Sequence, residues 1–254
     1  MSWDSLLAFI RAEAPSFAAS LEGVALEDIV HVENEYQVHL PESYRQFLLT
    51  VGANSAGFYL FGPSQNHRFA DVVAQIPEES YPKQDYFKIA YAVDEMINPS
   101  DHFLDLKRSD GVDAPIVMFE GDEEFSVESV QEYGFTFLEH AYRRFFGHLA
   151  DLPLPEAALV TILNVAPQRN VLSMAALVAV LNEMRFDLAL PTLSRVSCLR
   201  RDSVWAVVDV HAGGRGLAIT LWSKERGTLG AVTDQLSVRF PDAIVTDLGR
   251  PPQP

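Results

Sequence analysis

The stretch from Leu26 to Gly52 constrains the fold most, because it carries two helical patterns that meet at Leu40-Pro41. Pro41 suits the first position of the second helix, where a missing N–H costs nothing. Gly52 predicts a left-handed cap at the end of that helix. The apolar spacing i, i+3, i+4, i+7 predicts that one face of the second helix is buried core, formed by Tyr44, Phe47, Leu48 and Val51. The first helix has a narrower stripe of Ile29, Val32 and Tyr36.

Helical and strand patterns alternate along the rest of the first 150 residues. Further helices are predicted at Trp3 to Ala14, at Phe69 to Ile76 and from Phe137 onward. Short apolar runs bounded by turn residues predict strands at Phe58 to Phe61, Tyr86 to Val93, His102 to Leu106 and Pro115 to Phe119. Helices at both ends of a run of strands indicate an α+β domain with an antiparallel sheet flanked by helices.

The proline pair in Leu152-Pro153-Leu154-Pro155 predicts a domain boundary, with one domain at residues 1–150 and a second at 151–254. The tail has its own sequence of a helix, a three-stranded meander, a second helix and a last strand, typical of a smaller α+β domain. Its strand Val204 to Val210 is apolar on both faces, so it is predicted to be central and covered on both sides.

The pattern resembles the SMI1/KNR4 proteins of the SUKH superfamily over roughly residues 20 to 147. The matching residues are Ile29, Glu33, Leu40, Pro41, Tyr44, Phe47, Leu48 and Gly52, then Phe58 to Gly62, Lys88-Ile89-Ala90, Pro115-Ile116-Val117 and Phe137-Leu138. Pro99-Ser100-Asp101 departs from the Gly-Asp pair that many members carry near this point. The resemblance implies a SUKH-like fold. It also implies an immunity protein that blocks the catalytic domain of a bacterial toxin, often a nuclease or deaminase, or a regulator of fungal cell-wall synthesis.

Charge is distributed unevenly along the chain. Residues 1–150 contain 25 acidic and 9 basic residues, a net charge of −16, whereas residues 151–254 contain 10 of each. An acidic surface repels nucleic-acid phosphates and anionic membranes and attracts basic proteins. We therefore expect a basic protein partner, and neither a nucleic acid nor a membrane. The same charge also serves solubility, and the sequence leaves that alternative open.

The sequence places the predicted partner-binding surface on an acidic sheet face and its loops. The residues act there as contacts and not as catalysts, and they are chosen by charge and loop position: Asp94, Glu95, Asp101, Asp105, Glu120, Asp122, Glu123, Glu124 and Glu128.

Catalytic, metal-binding and cofactor-binding motifs do not emerge from the sequence, so we expect no enzyme and no cofactor. No Gly-x-Ser-x-Gly is present, and Cys198 lies in an apolar strand pattern. The histidine pairs are eight residues apart, which suits no helical metal pair. A single cysteine and an N-terminus without a basic region before an apolar run favour a cytoplasmic protein.

Two other functions stay open at this point. The first is a small hydrolase or ligand-binding enzyme in the tail, with Arg200, Arg201 and His211 converging in a cleft. The second is a scaffold, in which the tail supports the front domain or forms a homodimer.

Overall fold

The computed structural model describes residues 2–93, 100–119, 125–151, 154, 156–163, 173–210 and 216–249. The chain divides into a front unit, Ser2–Arg144, and a tail unit, Phe145–Pro254. The division lies within a helix, a few residues before the boundary predicted at residues 150 and 151.

The front unit is built on the helices that the apolar spacing predicts. The described helices are α1 Trp3–Glu13, α2 Pro15–Ser20, α3 Leu26–Tyr36, α4 Glu42–Val51, α5 Phe69–Gln75 and α6 Phe137–Asp151. Three single 3-10 turns occur at Ile76–Glu78, Leu106–Arg108 and Val127–Ser129. None of the helices in the described part of the chain is both long enough and apolar enough to cross a bilayer.

The strands of the front unit form one antiparallel meander. They are β1 Gln65–Asn66, β2 Tyr86–Ala92, β3 Asp101–Asp105, β4 Pro115–Phe119 and β5 Gln131–Thr136. Each strand pairs with the next in chain order. The predicted α+β architecture, with helices flanking an antiparallel sheet, is confirmed. The polar strand β5 was not predicted.

The helix pair α3–α4 is held together by one carboxylate. Glu33 of α3 accepts a hydrogen bond of 2.9 Å from the backbone N–H of Leu40 and pairs with Arg45 of α4. On the other side of α4, the rings of Tyr44 and Phe47 are fully buried, as predicted. Their centroids lie 5.0 and 5.3 Å from that of Phe137 on α6, and aromatic pairs at this separation add stability beyond their buried area.

The predicted left-handed cap at Gly52 is wrong. Its φ is −61°, an ordinary helical value. A Cβ at this position would lie 2.8 Å from the carbonyl oxygen of Leu48 and 2.8 Å from Cγ2 of Val24, which is too close. Glycine is therefore needed here because another segment packs against the helix end. The left-handed residue near this motif is Gln37, the C-cap of α3, with φ 54°.

The segment Phe58 to Phe61 is not the strand that its apolar run predicts. Its carbonyl groups bond to side chains of α6 instead of a neighbouring strand. The oxygen of Tyr59 accepts a hydrogen bond of 2.9 Å from Arg144, and the oxygen of Leu60 lies 2.8 Å from Nε2 of His140. Aromatic composition produced the wrong prediction, because the segment is buried without belonging to a sheet.

In its described residues, the tail unit consists of a six-stranded antiparallel sheet and two helices. Its elements are β6 Glu156–Leu163, α7 Met174–Glu183, β7 Asp187–Leu188, β8 Val196–Arg201, β9 Val204–Val210, β10 Gly216–Ser223, α8 Arg226–Arg239 and β11 Ile244–Gly249. The strand order is β11-β6-β10-β9-β8-β7, so β9 is internal, as predicted.

Both faces of β9 are covered within the tail unit. Ala206 and Val208 belong to a buried cluster with side chains of α7 and α8. Trp205 points to the other face, where its ring centroid is 4.8 Å from that of Phe146 at the end of α6. The strand β6, which pairs with β10, was not predicted.

One loop of the front unit holds the N-termini of two helices. Between β3 and β4, the carbonyl oxygens of Gly111 and Val112 accept hydrogen bonds from the first two backbone N–H groups of α4, at 3.0 and 2.8 Å. The Asp113 carboxylate accepts a bond of 2.8 Å from the Ser43 hydroxyl of α4. It also accepts one of 3.1 Å from the backbone N–H of Leu138 of α6.

Replacing Asp113 with alanine is expected to lower the free energy of unfolding by about 2–4 kcal/mol, because charge-assisted bonds to two helices are lost in a largely buried place. Urea denaturation measures this change. Asp28→Ala, at an exposed acidic residue of α3, is the control and should alter stability by no more than about 0.5 kcal/mol. Equal effects of the two substitutions would show that Asp113 does not hold the helices together.

Candidate functional site

The connection between α4 and α5 forms the wall of an open cleft. At its start, Ala53 and Asn54 each donate a backbone hydrogen bond of 3.0 Å to the carbonyl oxygen of Glu22. Further along, Phe58 and Leu60 are buried, at 1% and 0% exposure, whereas the Tyr59 side chain between them is 47% exposed. The backbone is therefore fixed while the Tyr59 ring faces solvent.

The cleft has a volume of about 570 Å³, within the range of ligand and peptide pockets. Buried Phe58 and His67 line it, and Tyr59 and Val93 are its exposed apolar residues, with Val93 64% exposed. The remaining lining residues are mostly polar or small: Glu22, Val51, Gly52, Ala53, Asn54, Ser55, Pro63, Gln65, Asn66 and Arg68.

The cleft lies at one end of the front sheet. Strand β1 pairs Gln65 with Ala92 at the end of β2, and β3 begins at Asp101, which pairs with Phe119 at the end of β4. The Ala92 N–H donates a hydrogen bond of 2.9 Å to the Asp101 carboxylate. The β2–β3 and β4–β5 connections therefore both leave the sheet at this end, which we call the acidic end.

These two connections carry seven of the nine predicted partner-binding residues. Residues 93–100 and 120–130 contain seven acidic residues and no lysine or arginine. Asp94, Glu95, Glu120, Asp122, Glu123 and Glu124 lie outside the described residues. Glu128 is described, is exposed and belongs to the 3-10 turn that precedes β5.

The other two predicted partner-binding residues, Asp101 and Asp105, form ion pairs within the front unit. Asp101 pairs with the buried Lys88 at 2.5 Å, and Lys88 also pairs with Glu79. Asp105 is 5% exposed and accepts a hydrogen bond of 2.7 Å from Nε of Arg108. Both carboxylates are therefore engaged in ion pairs within the fold, although Lys88 is shared with Glu79 and Arg108 with Glu132.

Further ion pairs surround Asp105. Lys107 pairs with Asp85 at 3.4 Å, and the Arg108 guanidinium reaches both Asp105 and Glu132. Composition alone does not separate these paired acids from the acids of the two connections. A second exposed acidic set was not predicted as a site, although helical spacing places it on the outer face of α3: Glu27, Asp28 and Glu35.

Buried histidines support the wall of the cleft. The Phe61 ring is stacked between two of them, at centroid distances of 3.9 Å from His102 and 4.8 Å from His140. His67 packs between Phe47 and Phe58. Burial lowers the pKa of His67 to about 4 and that of His102 to about 3, and it holds the pKa of His140 well below its ordinary value.

The described residues do not assemble the enzyme site considered for the tail. Arg200 pairs across the sheet with Trp205 and Arg201 with Val204, so the two arginines lie on opposite faces of the strand, which disfavours the alternative that needs them to converge. Arg201 donates to the carbonyl oxygen of Met184 at 2.8 Å. His211 lies outside the described residues.

Among the described residues, the cysteine and the metal-binding side-chain types do not form a second candidate site. Cys198 is buried, and burial raises the pKa of its thiol. Across the described ranges, His, Cys, Asp and Glu side chains form no group of three that would hold a metal ion.

Comparison with known proteins finds a family match within the front unit. Residues 23–137 match the SMI1 / KNR4 family (SUKH-1). A comparison with curated proteins finds no match for the chain. The family comprises immunity proteins and cell-wall regulators and is generally non-enzymatic.

The buried histidines predict a loss of stability in mild acid. In the unfolded chain, His67 and His102 bind a proton near pH 6.5, whereas in the folded chain they do so only near pH 3 to 4. Stability therefore falls as the pH drops below 6.5. Between pH 7 and pH 5, each such histidine should cost about 2 kcal/mol. His102→Phe keeps an aromatic ring against Phe61 and should reduce the loss by about that amount in urea denaturation. An unchanged pH dependence would contradict this role of His102.

Proposed function

From the match of the front unit to the SMI1/KNR4 family, we propose that the chain is an interaction protein that binds a basic polypeptide at the acidic end of its front sheet. In this proposal it is a bacterial immunity protein whose partner is the catalytic domain of a toxin. The chain acts by occupying that domain and performs no chemistry itself.

The single observation that carries the proposal is the position of the cleft. Exposed Tyr59 and Val93 lie at the same end of the sheet as two connections that contain seven acidic and no basic residues. Protein interfaces commonly combine a few aromatic or apolar anchors with a charged rim. Tyr59 and Val93 would be the anchors, and the acidic sequences of the two connections would supply the charge.

The sign of the charge supports a partner that acts on nucleic acid. Enzymes of this kind hold phosphates in basic clefts, and an acidic surface takes the place of the phosphates. Complementary charge accelerates encounter and selects among partners more than it increases affinity. It also follows that association should slow as salt screens the two surfaces.

The partner to test is the polypeptide encoded immediately upstream of this gene, produced together with the chain. The purified complex should contain both proteins, and adding the chain should suppress the activity of the partner at a one-to-one ratio. Binding without suppression would favour a regulator of the cell-wall type over an immunity protein. If the two proteins do not bind, this polypeptide is not the partner.

Charge reversal should locate the interface. Replacing Asp122, Glu123 and Glu124 with lysine should reduce the association rate constant at least tenfold at low salt and flatten its salt dependence. The control replaces Glu27, Asp28 and Glu35 of α3 with lysine, which changes the net charge by the same amount. Equal slowing by both variants in stopped-flow measurements would indicate a general effect of charge and not a site.

Truncation of the aromatic anchor should affect dissociation. Tyr59→Ala should raise the dissociation rate constant about tenfold or more and leave association nearly unchanged, because a centrally buried aromatic ring contributes mainly after docking. Leu26→Ala on α3, whose side chain has the same exposed fraction of 47%, is the control. Identical dissociation of wild type and Tyr59→Ala would place Tyr59 outside the interface.

A further inference from the structure

One carboxylate in the cleft has no ion pair within the part of the chain that the structure describes. Two of the residues that line the cleft are charged at neutral pH, Glu22 and Arg68. Arg68 pairs with Asp71 at 3.6 Å. The Glu22 side chain is exposed, and none of the described ion pairs includes it. The cleft therefore offers a negative charge to a ligand.

The backbone holds Glu22 in place. Its N–H donates a hydrogen bond of 3.0 Å to the carbonyl oxygen of Asn54, and its own carbonyl oxygen accepts the two bonds from Ala53 and Asn54. These bonds form an isolated antiparallel bridge to the connection between α4 and α5. The carboxylate is attached to a fixed wall, so a ligand that pairs with it loses less free energy to ordering of the chain.

The asparagine side chains of the cleft are already bonded within the fold. Oδ1 of Asn54 accepts a hydrogen bond of 2.9 Å from the backbone N–H of Ala56. Nδ2 of Asn66 donates one of 2.9 Å to the hydroxyl of Tyr91. Because an ionised carboxylate also forms stronger hydrogen bonds than a neutral amide, Glu22 is the acceptor best placed to bind a ligand.

Apolar and aromatic surface accompanies this charge. Tyr59 and Val93 line the same cleft and are 47% and 64% exposed. A long cationic side chain matches both features, since its methylene stem packs on apolar groups while its charged end pairs with a carboxylate. Arginine fits better than lysine, because the planar guanidinium stacks on an aromatic ring and binds a carboxylate through two parallel hydrogen bonds.

We propose that the cleft binds one arginine side chain of the partner, with its guanidinium against the Glu22 carboxylate and the Tyr59 ring. This inference rests on the proposed function for the identity of the partner and deepens it. The proposed function requires complementary charge across a surface, whereas this inference assigns one residue type of the partner to the cleft.

A short peptide tests the arginine site without the natural partner. A glycine–arginine–glycine peptide with blocked ends, titrated into the full chain at low salt, should shift the NMR signals of Glu22, Tyr59 and Val93. The Kd should lie in the millimolar range, because an exposed ion pair and a cation–π contact are each weak. The same peptide with citrulline in place of arginine lacks the charge and should bind about threefold more weakly or less.

Substitutions in the cleft should change peptide binding in opposite directions. Glu22→Gln should weaken binding of the arginine peptide about threefold and abolish its advantage over the citrulline peptide. Arg68→Gln removes a positive charge from the cleft and should strengthen binding, which a general disturbance of the cleft would not do. Glu27→Gln, at an exposed acid of α3, is the control and should bind like wild type. Circular dichroism and thermal unfolding confirm that each variant is folded.

The proposal is overturned if the arginine peptide shifts no signal of the cleft, if the citrulline peptide binds equally well, or if Glu22→Gln binds like wild type. Its failure is distinguishable from that of the proposed function. An upstream-encoded polypeptide that binds Glu22→Gln as tightly as wild type leaves the interaction function standing and overturns the arginine site. Specific binding of the arginine peptide without binding of that polypeptide supports the arginine site and contradicts the proposed partner.

Discussion

The β3–β4 loop is the constraint on which the front unit depends. Helix N-termini carry unpaired N–H groups and a partial positive charge, and both need an acceptor when they are buried. Here one loop supplies the acceptors for two helices. Its carbonyls bond to the start of α4, and the Asp113 carboxylate bonds to Ser43 of α4 and to the backbone of α6 at Leu138. The positions of both helices therefore follow from one short turn.

The position of α6 determines the shape of the cleft. Two of its side chains, His140 and Arg144, bond to the carbonyls of Leu60 and Tyr59. The same His140 ring stacks on Phe61. The cleft wall is therefore fixed before any partner arrives, and a preorganised surface loses less conformational freedom on binding.

Sequence patterns predicted the elements whose burial follows a regular period. The helices α1, α3, α4, α5 and α6 and the strands β2, β3 and β4 were all anticipated, because each buries one face or is continuously apolar. Strand β5 has a polar sequence and gave no such pattern. The strand predicted at Phe58 to Phe61 was wrong because the hydrogen bonds of this segment go to side chains that are distant in the sequence. No local pattern encodes such bonds. The antiparallel sheet flanked by helices was predicted correctly.

The candidate site was harder to predict from the sequence than the fold. The charge excess indicated an acidic surface, but long-range pairs decide which acids remain uncompensated. The sequence did not distinguish Asp101 and Asp105 from the loop acids, but the structure shows them in ion pairs with Lys88 and Arg108. The cleft could not be foreseen either, since β1, the end of β2 and the α4–α5 connection meet only in three dimensions.

Tyr59 illustrates how a surface of this kind can diversify. The fold holds residue 59 through its carbonyl oxygen, and the side chain takes no part in the buried core. A substitution at residue 59 changes the exposed surface of the cleft while leaving the fold intact. Under the proposed function, recognition and folding are therefore separated at this position, and substitution of Tyr59 would change the bound partner without altering the core.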